Sequence, residues 1–186
     1  MRFCRSFAVL GAVLASACAE SPVAPVHEAA PTFSVLENSI ERSSVPAGSS
    51  QSSVLMATFL VEIKASGGDV VLGSQAASIP AFELTIWKDG VRVLLAIAQT
   101  SLYTVPSSGV VAFGSDHFKI PESNSVVVPV TFVFEGRTAS GGPLSPGSYA
   151  AGIDAVNWST VDGVLHKEST ASALSLGWRT QAIVLP

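Results

Sequence analysis

The stretch Leu55-Met-Ala-Thr-Phe-Leu-Val-Glu-Ile-Lys-Ala65 alternates between two kinds of side chain. Its odd-numbered positions are all apolar, and its even-numbered positions become charged in the second half, at Glu62 and Lys64. A period of two is typical of a β-strand with one buried face, because successive side chains of a strand point to opposite sides. The stretch therefore predicts a long strand that carries its odd-numbered residues into a core.

Shorter segments with the same period follow along the chain, and turn residues separate them. The pairs Asp89-Gly90 and Asp162-Gly163 tolerate the positive φ angles of a tight hairpin turn. No segment has the period of an amphipathic helix. In the segment Tyr149–Ala155, alternation predicts that Tyr149, Ala151, Ile153 and Ala155 point inward. The other predicted strand segments are Val70–Leu72, Phe82–Ile86, Val91–Leu95, Phe118–Ile120, Val126–Phe134 and Ala182–Leu185.

These segments number about eight to ten, and together they predict an all-β antiparallel sandwich. Pro129 lies within Val126–Phe134. Because proline cannot donate a ladder hydrogen bond, it predicts an edge strand or a bulge at that point. At roughly 154 residues, the predicted domain, residues 33–186, is longer than a minimal sandwich of about 100 residues. We therefore expect extra strands or long loops.

The segment Leu144-Ser-Pro-Gly-Ser-Tyr-Ala-Ala151 resembles the tyrosine corner of immunoglobulin-like and fibronectin type III domains. In that motif a Pro/Gly turn precedes a tyrosine whose hydroxyl bonds back to the backbone. The resemblance implies an immunoglobulin-like sandwich, with a structural role for Pro146, Gly147 and Tyr149. The position of the disulfide cysteine in antibody domains is Ala151 here.

Residues 1–17 have the three parts of a secretory signal peptide. Arg2 and Arg5 are basic, Phe7–Leu14 is apolar, and Ala15-Ser-Ala17 supplies the small residues of a cleavage site. The apolar run is too short for a transmembrane helix, which needs about 20 residues. Ordinary cleavage after Ala17 or Ala19 would release a soluble secreted protein.

Ala15-Ser-Ala-Cys18, preceded by Leu14, resembles the lipobox of bacterial lipoproteins. It departs from that motif at Ala15, where leucine is usual. The resemblance implies that Cys18 becomes the mature N-terminus and the site of lipid attachment. Ala19, in place of aspartate, implies the outer membrane. Residues 18–32 then form the lipidated cysteine and a Pro/Ala-rich tether.

Composition narrows the classes of partner. The only cysteines are Cys4 and Cys18, so a domain spanning residues 33–186 contains no disulfide. Without Arg2 and Arg5, the 10 basic residues fall to 8 against 14 acidic ones, a net charge of −6. This balance argues against nucleic acid and against polybasic docking on a membrane.

The sequence has no G-x-S-x-G or S-x-x-K motif for a nucleophilic serine. Gly114-Ser-Asp-His117 is better explained as a polar turn, and the three histidines are far apart. Asp154, Asn157 and Asp162 lack the spacing of an EF-hand. We expect no catalytic site, no metal and no cofactor.

Trp87 and Trp158 alternate with the residues predicted to point inward on their strands, so alternation places both on the outer face. Both are therefore candidate ligand-binding aromatics. They could equally cover a sheet face beneath a loop.

The sequence favours a non-catalytic, lipid-anchored protein of the cell envelope that acts as a structural or protein-interaction module, through a protein partner or self-association. One alternative is a surface filament or adhesin subunit that assembles by β-strand addition, through Phe33–Val45 or Ala182–Leu185. Another is a carbohydrate-binding module that uses the tryptophans.

Overall fold

A computed structural model describes residues 28–43, 54–74, 77–93, 99–135, 145–170 and 177–185. These residues contain twelve β-strands and no helix, so the prediction of an all-β fold is confirmed, with more strands than the eight to ten expected. The strands are β1 (Thr32–Ser43), β2 (Val54–Lys64), β3 (Val70–Gly73), β4 (Phe82–Lys88), β5 (Val91–Val93), β6 (Gln99–Tyr103), β7 (Val111–Phe113), β8 (His117–Ile120), β9 (Ser125–Glu135), β10 (Gly147–Ser159), β11 (Leu165–Ser169) and β12 (Ile183–Leu185).

The strands form two antiparallel sheets that pack face to face as a β-sandwich. The first sheet has the order β1-β2-β9-β6. The second has the order β5-β4-β10-β3-β8-β7, and both β11 and β12 also pair with β10. Tyr103 joins the sheets, because its ring lies 5.5 Å from that of Phe82 and its hydroxyl donates to the carbonyl oxygen of Gly73 at 2.5 Å.

Strand β2 is central in the first sheet and supplies the core as its alternation predicted. Leu55, Ala57, Phe59, Val61 and Ile63 are all essentially inaccessible to solvent. Complete burial of a large apolar side chain contributes about 1.5–3 kcal/mol relative to exposure, so this face drives the packing of the sheets. The neighbouring strand β9 extends the same face, with the ring of Phe132 centred 5.7 Å from that of Phe59.

Pro129 does not mark an edge strand or a bulge, contrary to the prediction. Strand β9 lies between β2 and β6, and its register with β2 is unbroken from Ser125 to Glu135. Strand β6 ends at Tyr103, which pairs with Val130, one residue short of Pro129. A proline is tolerated in this central strand because no ladder pair with β6 includes it.

Strand β10 carries a β-bulge that reverses its alternation. Ile153 pairs with Leu84, but Ala155 pairs with the next residue of β4, Glu83, so Asp154 is the extra residue. An extra residue exchanges the two faces of the strand beyond it. Val156 therefore joins the core, whereas Ala155, predicted to point inward, lies on the outer face beside Glu83, although it is buried there with only 1% exposed.

The turn between β4 and β5 is a two-residue hairpin, as predicted. Lys88 pairs with Val91, and the two residues between them have positive φ, 52° at Asp89 and 80° at Gly90. Positive φ at both central positions defines a type I′ turn, whose twist matches that of the flanking strands.

The C-terminal segment closes the second sheet along β10. The amide of Ile153 donates to the carbonyl of Trp178 at 3.0 Å, and the amide of Thr180 donates to the carbonyl of Ala151 at 2.9 Å. Strand β12 then continues along the start of β10. The prediction that Ala182–Leu185 closes a sheet is confirmed.

The two ends of the sandwich are distinct. At the end we call N-terminal, the chain enters at Glu28, the amide of Ala30 donates to the carbonyl of Ser66 at 2.8 Å, and residues 160–164 connect β10 to β11. At the opposite end, the Asp89 carboxylate accepts from the amide of Ser148, next to the end of β12. Strand β10 runs the whole way between them.

Candidate functional site

The predicted lipid-attachment residue, Cys18, lies outside the described residues, as do the signal peptide and residues 18–27 of the predicted tether. The described chain begins at Glu28, and β1 begins at Thr32, one residue before the predicted start of the domain.

Tyr149 lies at the start of β10, where the tyrosine-corner motif places it. Its hydroxyl donates to the carbonyl oxygen of Ser145, four residues upstream, at 2.7 Å. Gly147 has φ of 154°, and a Cβ atom there would lie 2.6 Å from Cε of Lys88, so the turn depends on glycine. Pro146 is exposed between them. These residues attach the start of β10 to the hairpin of β4 and β5.

Trp87 is not the exposed aromatic that its parity suggested. It lies on the outer face of the second sheet, as predicted, yet only 5% of it is exposed. Its ring lies against Gly152, where an added Cβ would come within 2.7 Å of it. The guanidinium carbon of Arg179 lies 4.4 Å from the ring centroid, a cation–π contact that covers the indole.

Trp158 is also buried, for a different reason. The bulge at Asp154 moves it to the inner face, where it belongs to the core with 6% exposed. Its cross-strand partner His166 stacks on it, with ring centroids 4.1 Å apart and planes 10° apart. Of the two interpretations of these tryptophans, exposed ligand-binding aromatics and burial in or beneath the sheet, the structure shows burial for both, so the carbohydrate-binding alternative loses the feature that supported it.

Paired charges cover the outer face of β10. Glu83 accepts hydrogen bonds from Lys167 at 2.7 Å and from Asn157 at 3.0 Å, which together lower the pKa of its carboxyl group. Asp154, on the bulge, accepts from Thr85 and from the guanidinium of Arg92. Each of these groups is engaged by another protein group across the strands.

The residues considered for calcium do not converge. Asp154 and Asn157 make the contacts just described, and Asp162 accepts from the hydroxyl of Thr160 in the β10–β11 turn. Within the described ranges, no group of three or more His, Cys, Asp or Glu residues is placed to hold a metal ion.

The segment Gly114-Ser-Asp-His117 forms the turn between β7 and β8, with positive φ at Gly114. Nδ1 of His117 lies 2.7 Å from Oδ1 of Asp116, and both side chains are partly exposed. The histidine is paired with its own neighbour at the surface, as in a polar turn.

An open groove lies at the N-terminal end of the sandwich, with a volume of about 820 Å³. Three segments that are distant in sequence line it: Glu28–Ala29, Gly67–Asp69 and Thr160–His166. Sequence reasoning missed it because each segment is short and was interpreted by itself, the first as part of the tether and the other two as turns. Its one local signal is that Val161, Val164 and Leu165 flank the Asp162-Gly163 turn, where polar residues are usual.

The groove is acidic, because Glu28, Asp69 and Asp162 line it, and defined contacts hold two of these carboxylates. Asp69 accepts from Lys119 at 2.7 Å and from the amide of Glu122 at 2.9 Å, and these bonds lower its pKa. The hydrogen bond from Thr160 lowers the pKa of Asp162.

The apolar residues of the same turn project into solvent. Val161 is 48% exposed, Val164 52% and Leu165 55%. Leu165 also shares a smaller cavity of about 80 Å³ with Ile79, which is itself exposed. We call these four residues the apolar rim. Aliphatic side chains gathered at one exposed edge are typical of a contact surface.

The two segments considered for strand exchange are paired within the chain. Strand β1 pairs with β2 from Thr32 to Ser43, and β12 pairs with β10 at three positions. Donating either segment to a neighbour's sheet would break this pairing, whereas β1, as an edge strand, could also pair with a neighbour while staying in its own sheet.

No helix among the described residues is long and apolar enough to cross a membrane. Comparison with protein-family models, curated proteins and solved structures finds no match for this chain.

Proposed function

We propose that this chain is a non-catalytic, lipid-anchored cell-envelope protein whose β-sandwich acts as a structural or protein-interaction module. The observation that carries the proposal is the leader, in which a basic start and an apolar run end at Ala15-Ser-Ala-Cys18. Ala19 after the cysteine favours the outer membrane.

The position of the fold relative to Cys18 is consistent with an anchor. Nine residues separate Cys18 from Glu28, where the described chain begins. Such a segment spans at most about 35 Å when fully extended. The sandwich would therefore sit close to the membrane surface, with its N-terminal end toward the lipid.

The ion pairs of three carboxylates support a non-catalytic role. Glu83, Asp69 and Asp154 each form an ion pair with a lysine or arginine from another strand or turn. These ion pairs join separate strands and turns of the sandwich.

The end of the sandwich opposite the anchor is the surface we assign to a protein partner or to self-association. Val91 is 66% exposed and Val184 72% exposed there, on β5 and β12. Both lie near the tyrosine corner, in which the hydroxyl of Tyr149 donates to the carbonyl oxygen of Ser145.

Membrane partition tests the proposal. We expect the wild-type protein to remain with membranes after a high-salt wash and to be released only by detergent. We expect Cys18→Ala to be soluble, while Cys4→Ala, a change within the predicted signal, behaves as wild type. Release of the wild-type protein by salt alone would contradict a lipid anchor, because salt screens charge but does not extract acyl chains.

A further inference from the structure

The apolar rim lies at the end of the sandwich where the chain runs back toward Cys18. Glu28 and Ala29, the first described residues, line the same groove as Val161 and Val164. Val161 and Val164 of the rim are therefore neighbours of the attachment point of the tether in space, although more than 130 residues separate them from Ala29 in sequence.

The length of the tether limits how the domain can lie on a membrane. Strand β10 has 13 residues and spans about 40 Å between the two ends of the sandwich. The segment from Cys18 to Glu28 reaches at most about 35 Å. The N-terminal end can rest directly on the bilayer, whereas the opposite end could reach it only if the tether ran back along the whole domain.

We propose that the apolar rim docks on the surface of the lipid bilayer, so that the β10–β11 turn rests among the head groups. This inference rests on the proposed lipid anchor at Cys18. Docking would remove Val161, Val164 and Leu165 from water while the anchor holds them beside the membrane. It would fix the orientation of the domain and direct Val91 and Val184 away from the lipid.

The charges around the rim specify the kind of surface. Glu28, Asp69 and Asp162 line the groove behind the rim, and Lys119 is ion-paired with Asp69. An anionic surface would repel this end of the domain, so the structure fits a zwitterionic one. The aliphatic rim then supplies the contact, and the carboxylates stay at the hydrated level of the head groups.

Tryptophan quenching by lipid tests the docking. Val164→Trp places a reporter in the rim, and Val91→Trp places a matched reporter at the opposite end, since both positions are exposed. The acylated protein carrying each change is reconstituted in phosphatidylcholine vesicles with brominated acyl chains. We expect the added fluorescence of the Val164→Trp variant to be quenched about twofold or more relative to that of Val91→Trp. We also expect the difference to shrink when about a third of the lipid is anionic.

The quenching result distinguishes a failure of the proposed docking from a failure of the proposed lipid anchor. Protein that floats with the vesicles and shows equal quenching at both positions would overturn the docking and leave the anchor intact. If Cys18 proves to be unmodified, the same two variants are produced as chains that begin at Cys18 and are coupled through its thiol to a maleimide lipid. The coupled chain has the same tether, so unequal quenching would support the rim as a lipid-contact surface, and equal quenching would overturn it.

Discussion

The ring of His166 lies flat on the ring of Trp158, with centroids 4.1 Å apart, and covers one face of an indole that reaches the core through a β-bulge. The stack joins β10 to β11 at the wall of the groove. Together with the β10–β11 ladder and the Lys167–Glu83 ion pair, it attaches the apolar turn to the rest of the sandwich.

Replacing His166 by alanine would remove this cover. We expect His166→Ala to lower the free energy of unfolding by about 1–2 kcal/mol, because the stack and its buried area are both lost. The tryptophan emission of the folded protein should shift to longer wavelength. Urea unfolding followed by fluorescence measures both effects. His166→Phe, which keeps a flat ring, should retain most of the stability, and an alanine variant as stable as wild type would contradict the stack.

Gly152 is required by the ring of Trp87. A Cβ atom at this position would meet that ring at 2.7 Å and the carbonyl oxygen of Trp178 at 2.9 Å. We expect Gly152→Ala to cost about 1–3 kcal/mol of unfolding free energy through overpacking. The cost should be smaller in a Trp87→Leu background, because one of the two contacts is then removed. Equal costs in both backgrounds would show that Trp87 does not restrict this position.

The hydroxyl of Tyr149 contributes a single hydrogen bond to the carbonyl of Ser145. We expect Tyr149→Phe to lower the unfolding free energy by about 1 kcal/mol, with the ring still packed in the core. Chemical denaturation gives the value. Replacing Pro146, which is exposed beside it, by alanine is the comparison and should have a smaller effect. A phenylalanine variant with unchanged stability would show that the hydrogen bond of the tyrosine corner does not stabilise the fold.

Burial raises the pKa of Tyr103 to about 12. The pKa of an unfolded tyrosine is near 10, so the folded protein binds more protons than the unfolded chain between these values. The contribution of this group to stability is therefore complete below about pH 10 and is lost as the pH rises toward 12. We expect Tyr103→Phe to weaken the decline in stability over this interval. An identical alkaline decline in the variant would contradict the assignment.

The sequence predicted most of the fold where alternation is regular. Strand β2 keeps its period of two from Leu55 to Ile63, and every inward residue is buried as expected. The bulge at Asp154 was missed because Ala155 is apolar and continues the period of Ala151 and Ile153, although the inward face has passed to Val156 and Trp158. It therefore caused the errors at Ala155 and Trp158.

The candidate site was less predictable than the fold. Alternation placed Trp87 correctly on the outer face. Its burial depends on Arg179, which is distant in sequence and which the C-terminal segment brings over the indole ring. The groove forms from the segment that precedes β1 and from two turns, and these meet only in the folded chain. Cys18 lies outside the described residues, so the lipid anchor stays a prediction of the sequence.

The intact mass of the protein extracted from native membranes, measured beside a Cys18→Ala variant, tests the anchor most directly. The account predicts the mass of the chain from Cys18 plus a diacylglyceryl group and a further acyl group, and no such addition in the variant. An unmodified chain that begins at Cys18 or Glu20 would contradict it and would make this a soluble secreted protein.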